Sequence, residues 1–284
     1  MAAMTIQDAY GQAADVLQAA GVPDPRTDAG MLLEHITGVP RLKLMLFGGQ
    51  TLSKEQEQRF SSLLLSRASR KPLQYVLGEQ FFYGLPFWVD ERVLIPRPET
   101  EILCEIAIAH IKAMPAPAVL DVCTGSGAIA VTLARECEAA CVTAVDISAD
   151  ALAVAQENAR RNGAKVRFAQ GDLFAPAMGE RFDCIVSNPP YIESAVCPAL
   201  QEEVLREPLL ALDGGGDGLD FYRRIAKEAA DYLRPGGLLC MEIGHGQAEA
   251  VVSLLREEGR YERMTVHKDL AGASRVVCAY AFPT

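Results

Sequence analysis

The chain has 284 residues, half of them hydrophobic and 23% charged, with a net charge of −10. That length favours two domains, and the composition is that of a soluble protein with a sizeable core, which excludes disordered and fibrous classes. No run reaches the ~18 apolar residues of a membrane span, and the acidic balance argues against phosphate-backbone binding as the main source of affinity.

The negative charge is uneven. Residues 1–78 hold 8 Lys+Arg and 7 Asp+Glu, so the excess of acid falls on the remainder. That suits a basic protein partner or a solvated surface equally. The start, Met1-Ala2-Ala3-Met4-Thr5-Ile6-Gln7-Asp8, has no basic stretch followed by an apolar core, so no leader peptide is read. The eight cysteines sit among apolar neighbours without a C-x-x-C pair. They read as buried free thiols of a cytoplasmic chain. Neither they nor the scattered His35, His110, His245 and His267 show metal-ligand spacing, so no metal is expected.

Residues 1–78 read as a small helical bundle that recognises a partner or covers a site. Thr5 caps a helix to about Ala20, stopped by Gly21-Val22-Pro23. Asp24 caps a second helix with Pro25 at its first position, with Met31, Leu32, Leu33 and Ile36 on one face and an end at Gly38. A short apolar segment, Leu42–Phe47, follows. Ser53 and Gln56 form a capping box for a helix to about Ser69.

Residues 79–98 read as a hairpin linker. Gln80–Tyr83 and Pro86–Val89 flank Gly84-Leu85, and Pro96 and Pro98 hold Arg97 extended. Glu99 or Thr100 then starts a helix through Ile111.

From Pro115 onward strands and helices alternate. Strands are predicted at Val119–Cys123, Cys141–Asp146, Val166–Ala169, Phe182–Ser187 and Leu238–Ile243, with two further apolar stretches near Tyr261–His267 and Val276–Ala281. Helices are predicted at Ala128–Arg135, Ser148–Asn162 and Leu219–Leu233, the last closed by Arg234-Pro235-Gly236-Gly237. Such alternation predicts an α/β fold: an open, mostly parallel sheet with helices on both faces.

Four features carry chemistry. Gly125-x-Gly127-x-x-Ala130 fits a fingerprint in which glycines let a ligand approach the backbone at a helix N-terminus. Asp146 ends the next strand, where a carboxylate accepts hydrogen bonds from a ribose diol. This pair alone fits a dinucleotide as well as an adenosyl ligand. Asp121, inside the preceding strand, can face a cationic ligand or its ammonium group. Asp172, beside Leu173 and Phe174, can hold an adenine amine and its ring. Three acids around one pocket favour positive charge and ribose hydroxyls over a pyrophosphate.

The fourth feature is Asn188-Pro189-Pro190-Tyr191. Neither proline has an N–H for the ladder, so the strand stops at Asn188. An amide, proline carbonyls and an aromatic ring are thereby left at a strand's C-terminal end, where open α/β sheets place ligands. The carbonyl acceptors can hold an –NH2 group, and the ring can stack on a flat one.

Together these motifs resemble those of the Rossmann-like methyltransferases that act on nitrogen. More of the chain is similar to one branch, the HemK-like release-factor glutamine methyltransferases: Leu94–Glu101, Glu207-Pro208, Ala211–Gly215, Asp217–Leu219 with Tyr222-Arg223, Glu242-Ile243-Gly244 and Asp269–Gly272. The likeness covers about residues 70–280, with the N-terminal helices in outline.

The resemblance implies a seven-stranded methyltransferase sheet over 99–284, a helical substrate-recognition domain over 1–78 and S-adenosylmethionine as cofactor. It implies a cofactor site at Asp121, Cys123, Thr124, Gly125, Ser126, Gly127, Asp146, Ile147, Asp172, Leu173 and Asn188. Asn188, Pro189 and Tyr191 would be catalytic, and Pro190, Arg97 and Glu99 would join them in holding substrate. The implied reaction methylates the glutamine side chain in the Gly-Gly-Gln loop of peptide chain release factors, with a monomeric enzyme and no nucleic acid as main target. One position departs from the pattern: Cys123 stands where the family usually has glycine, and binding is expected to survive with a modest change in affinity. A DNA or RNA adenine-N6 methyltransferase, a nicotinamide-dependent oxidoreductase and a non-catalytic adapter are the rival readings.

Overall fold

The structure, a computed structural model, describes residues 4–282 apart from the Met45 side chain. The leader-peptide reading therefore falls partly, at Met1–Ala3, outside the described residues. The chain forms two compact units. One runs up to Gly78 and includes Gln201–Arg206; the other holds Glu79–Leu200 and the chain from Glu207 onward.

The first unit is helical: α1 (Ile6–Ala19), α2 (Pro25–Thr37), α3 (Lys54–Ala68) and a short α4 (Leu73–Leu77) that the sequence reading did not assign. Thr5 caps α1 and Ser53 closes a capping box on α3, as expected, and Asp8 completes a further box at Thr5. Asp24 occupies the N-cap of α2 but makes no side-chain cap, because ψ of 63° turns it away from the extended geometry a cap requires. Leu17, Leu32 and Leu33 fill the core fully. Arg67 is buried there, bonded to Asp28 at 2.7 Å and to Glu203 at 2.9 Å. Arg70 adds a second grip on Glu203 at 2.6 Å. The hydrogen bonds from Arg70 and then Arg67 outweigh burial and hold Glu203 down at about 2. This charge cluster is why Gln201–Arg206, far away in sequence, belongs to the first unit.

The second unit starts with an antiparallel hairpin, β1 (Glu79–Phe82) and β2 (Leu85–Trp88). The sequence reading set this hairpin apart as a linker. Its Phe82 and Phe87 are fully buried in the unit's own core, and Asn158 bonds both the N–H and the C=O of Trp88. After it come α5 (Thr100–Ile111), β3 (Ala118–Val122), α6 (Ala128–Glu136), β4 (Cys141–Asp146), α7 (Ala149–Arg161), β5 (Val166–Gln170), β6 (Phe182–Ser187), α8 (Asp220–Ala229), β7 (Leu233–Glu242), α9 (Ala248–Glu257), β8 (Tyr261–Lys268) and β9 (Ser274–Ala281).

The large sheet has seven strands in the order β5-β4-β3-β6-β7-β9-β8. The first five are parallel, and β9 lies antiparallel between β7 and β8. Side chains alternate between two cores with a period of two. Cys184, Val186, Leu238 and Cys240 face the side of α5 and α6; Ile185, Leu239 and Met241 face α8 and α9.

Three local departures have physical reasons. β7 begins at Leu233 rather than Leu238, because a register shift absorbs the Pro235-Gly236-Gly237 turn within the pairing. Helix α8 is shorter than expected for the same reason. Cys141 is exposed, against the expectation of uniform burial, because it opens β4 at the rim of the sheet; all eight cysteines are free. No helix among the described residues is long and apolar enough to cross a membrane.

Candidate active site

The sheet order reverses between β3 and β6, and the C-terminal ends of the strands on either side open onto one cavity of about 240 Å³. This is the place where doubly wound sheets hold ligands. Its wall takes Cys123–Ser126 from the end of β3, Asp146–Ser148 from β4, Gly171–Leu173 from β5, and Asn188 and Pro190 from β6.

The turn after β3 is set by two glycines with different tasks. Gly127 caps α6 with φ of +80°, and a Cβ there would stand 3.0 Å from that of Ala155, so glycine is what lets α6 pack on α7. A Cβ on Gly125 would meet nothing within 4 Å, so that glycine keeps open space at the wall. Asp146 holds the turn from below. Its Oδ2 accepts the Gly125 N–H at 2.8 Å and its Oδ1 the Ser148 N–H at 2.9 Å. Burial raises its pKa while these bonds oppose the rise. Each oxygen keeps a lone pair for a ligand.

Backbone strain gathers at the same place. Among the described residues five non-glycines have left-handed φ, and two of them, Cys123 (+63°) and Leu173 (+46°), line the cavity. The φ at Cys123 gives the physical reason for a glycine there: a side chain in that conformation costs about 1–2 kcal/mol.

Asp121 departs from its expected position. It is fully buried and does not line the cavity. Strand alternation points it to the α6 side, where its Oδ2 accepts the Thr124 hydroxyl at 2.6 Å and the Ala130 N–H at 3.2 Å. It thus ties the glycine turn to α6, while Oδ1 has no partner among the described residues. Burial pushes its carboxyl up to about 7, against those two hydrogen bonds. Between the ordinary range near 3.8 and about 7 the folded chain holds a proton that the unfolded chain has lost. Stability from this group is complete below pH ~4 and declines as pH rises to ~7, by at most about 1.4 kcal/mol per unit. Asp121→Asn keeps the acceptor and is expected to flatten that decline. Thermal unfolding of both chains between pH 5 and 8 checks it, and parallel profiles would count against it.

Asn188 follows Ser187, whose buried hydroxyl donates to the Val122 carbonyl at 2.8 Å. The Asn188 Nδ2 donates to Thr100 Oγ1 at 3.3 Å, and Thr100 donates to Glu242 Oε2 at 2.5 Å. The Tyr191 hydroxyl donates to Glu242 Oε1 at 3.4 Å. Burial pushes Glu242 up to about 7, opposed by the Thr100 and Tyr191 bonds. The Pro190-Tyr191 backbone is held as well. A Cβ on Gly214 would stand 2.7 Å from Tyr191 Cα, and Gln247 Nε2 donates to the Tyr191 carbonyl at 2.9 Å. The family-like blocks around Gly214 and Glu242 therefore have one physical use, which is to immobilise Asn188–Tyr191.

The remaining expected residues divide. Ile147, half exposed, and Asp172 line the cavity, and Asp172 pairs with Arg224 at 2.7 Å. Arg97 does not line it; it bonds buried Glu207, whose other oxygen accepts the Ile95 N–H at 2.9 Å. Glu99 sits at the N-cap of α5 without capping it. Pro189 and Tyr191 also lie off the cavity wall. The sequence reading took Thr100 only as a helix start within one family-like block and Glu242 only as part of another, and it missed Phe221 and Arg224. A lone glutamate ending the apolar run Leu238–Met241 was the available signal.

The reversed strand order, the antiparallel β9 and the cavity at the switch point define the class: a Rossmann-like methyltransferase fold. A methyltransferase of known structure from Pyrococcus furiosus shares that fold, with a TM-score of 0.51, 18% identity and coverage of 81% of this chain and 100% of its own. Family models described as "PrmC N-terminal domain" and "Methyltransferase small domain" match residues 8–78 and 100–219. A release factor glutamine methyltransferase of Moorella thermoacetica is 44% identical over 98% of this chain and 99% of its own. One of Geobacter sulfurreducens is 46% identical over 90% of each. The chain belongs to the release factor glutamine methyltransferase family.

Proposed function

We propose that this enzyme methylates the side-chain amide nitrogen of the glutamine in the Gly-Gly-Gln loop of peptide chain release factors, with S-adenosylmethionine as cofactor. The supporting observation is Asn188, held at the cavity wall by Thr100, with no hydrogen bond to its Oδ1 among the described residues.

The residues fit the cofactor. Gly125 leaves the wall open, Asp146 has lone pairs for ribose hydroxyls, and the half-exposed Ile147 with Leu173 offers apolar cover for adenine beside Asp172. Thr124–Ser126 would border the methionine end. When bound, S-adenosylmethionine supplies an electrophilic methyl group on a sulfonium.

The chain's own work is positioning. An amide nitrogen is a poor nucleophile because its lone pair is delocalised into the carbonyl. Asn188 Oδ1 and the Pro189 carbonyl each accept one N–H of the substrate amide. That fixes the nitrogen in line and favours the pyramidal geometry of attack. Tyr191 packs beside the flat amide, and the proton, acidic only as the new bond forms, passes to water. Arg97 and Glu207 pin the connector that shapes the groove.

Mass spectrometry of a release factor after incubation is the test. One added methyl on the loop glutamine supports the reading. Methyl transfer only to DNA or RNA offered in parallel removes it.

A further inference from the structure

We propose that Glu242, acting through Thr100, is a positioning residue that sets which way round the Asn188 carboxamide faces the substrate. This rests on the reading of Asn188 as the acceptor for the substrate amide.

A carboxamide has nearly the same shape in its two flips, so packing cannot choose between them; only a polar partner can. Thr100 is that partner, and a hydroxyl has one proton to give. The 2.5 Å bond to Glu242 takes that proton. Thr100 then has only lone pairs to offer toward Asn188, and the NH2 of Asn188 turns to them. Oδ1 is left for the substrate N–H. The opposite flip would set an N–H against an N–H.

The carboxylate is otherwise a poor choice for its place. Glu242 is 2% exposed at the end of an apolar strand, and no ion pair among the described residues includes it. Its side-chain donors are two hydroxyls, of Thr100 and Tyr191. A buried charge held this way costs stability that an apolar residue would not. Those two hydroxyls belong to residues that contact or flank Asn188–Pro190, so one carboxylate orders both ends of the acceptor pair. The other charges facing it are Glu99, beside the start of α5, and Arg275 on β9.

Glu242→Gln keeps the shape, and where the Tyr191 hydroxyl keeps its oxygen it turns a donor toward Thr100. The new amide can donate to Thr100, whose proton is then free to turn to Asn188 and draw Oδ1 inward. Thr100→Val removes the link, and Thr100→Ser retains it.

Steady-state methylation of a release factor, cofactor calorimetry and ¹⁵N NMR of the Asn188 side chain form the test. Glu242→Gln and Thr100→Val are expected to lower kcat by about tenfold to a hundredfold, the range of one charge-assisted bond. In Glu242→Gln, which lies off the cavity wall, KM for the release factor and cofactor affinity are expected to stay within about twofold. Thr100→Ser is expected to restore kcat, and the Asn188 amide signal is expected to shift in the first two variants only. The wild type is expected to lose kcat as pH falls through ~7, because a protonated Glu242 can itself donate to Thr100, and Glu242→Gln is expected to lack that limb. Wild-type kcat in Glu242→Gln, or equal losses in Thr100→Val and Thr100→Ser, overturns the relay. If Asn188→Ala is inactive in those cases, the reading of Asn188 still stands; wild-type activity in Asn188→Ala removes both.

Discussion

Asn188→Ala is expected to lower kcat by about 10²–10³ while cofactor affinity keeps its wild-type value. The magnitude follows from the loss of one preorganised hydrogen-bonding group at a reacting centre. Here the lost group is an acceptor, and the charge it would meet is the positive charge that develops on nitrogen as the methyl arrives. Asn188 follows Ser187 at the end of central strand β6, between β3 and β7, so truncation leaves the sheet pairing intact. Its Nδ2 bond to Thr100 is long, at 3.3 Å, so little stability goes with it. Single-turnover methylation beside calorimetric cofactor titration separates the two quantities. A parallel fall in affinity would move Asn188 from the substrate to the cofactor.

The second large effect falls on binding. Asp146→Ala is expected to weaken S-adenosylmethionine by about 10²–10³, since hydrogen bonds to a charged group contribute about 1.5–3 kcal/mol each. Two kinds of bond are lost together. The Gly125 and Ser148 N–H groups lose their acceptor, so the glycine turn and the start of α7 loosen. The ribose hydroxyls lose theirs as well. Asp146→Asn keeps one oxygen acceptor and is expected to lose only about tenfold. With cofactor in excess, both variants are expected to turn over within about threefold of wild type, because Asp146 contacts no reacting atom. Unchanged affinity in Asp146→Ala would show that the diol is held elsewhere.

Much of this was legible in the chain because local chemistry dictates it. Two consecutive prolines end β6 at Asn188 whatever surrounds them. The strand-turn-helix pattern around Gly125 and Gly127 could be read from backbone requirements alone, and so could the helix caps at Thr5 and Ser53. The near-continuous apolar runs of the central strands, which are buried on both faces, were enough to predict them. The sequence reading did not assign α4, whose five residues are too few to mark a period, nor α9, although Val251, Leu254 and Leu255 mark an apolar face there.

The sequence by itself determined the parts list: a parallel α/β sheet, a glycine turn before a helix, an acid after the second strand, and an amide stranded at a strand end by prolines. Only the tertiary structure decided how those parts pair. It turned Asp121 beneath α6 rather than into the cavity, linked Thr100 to Glu242 across 142 positions, and grouped Gln201–Arg206 with the first unit. The reason is range: proline, glycine and capping effects act within a few residues. The partner of a buried carboxylate is set by which strand ends meet in space, and a single chain carries no period or spacing that records it.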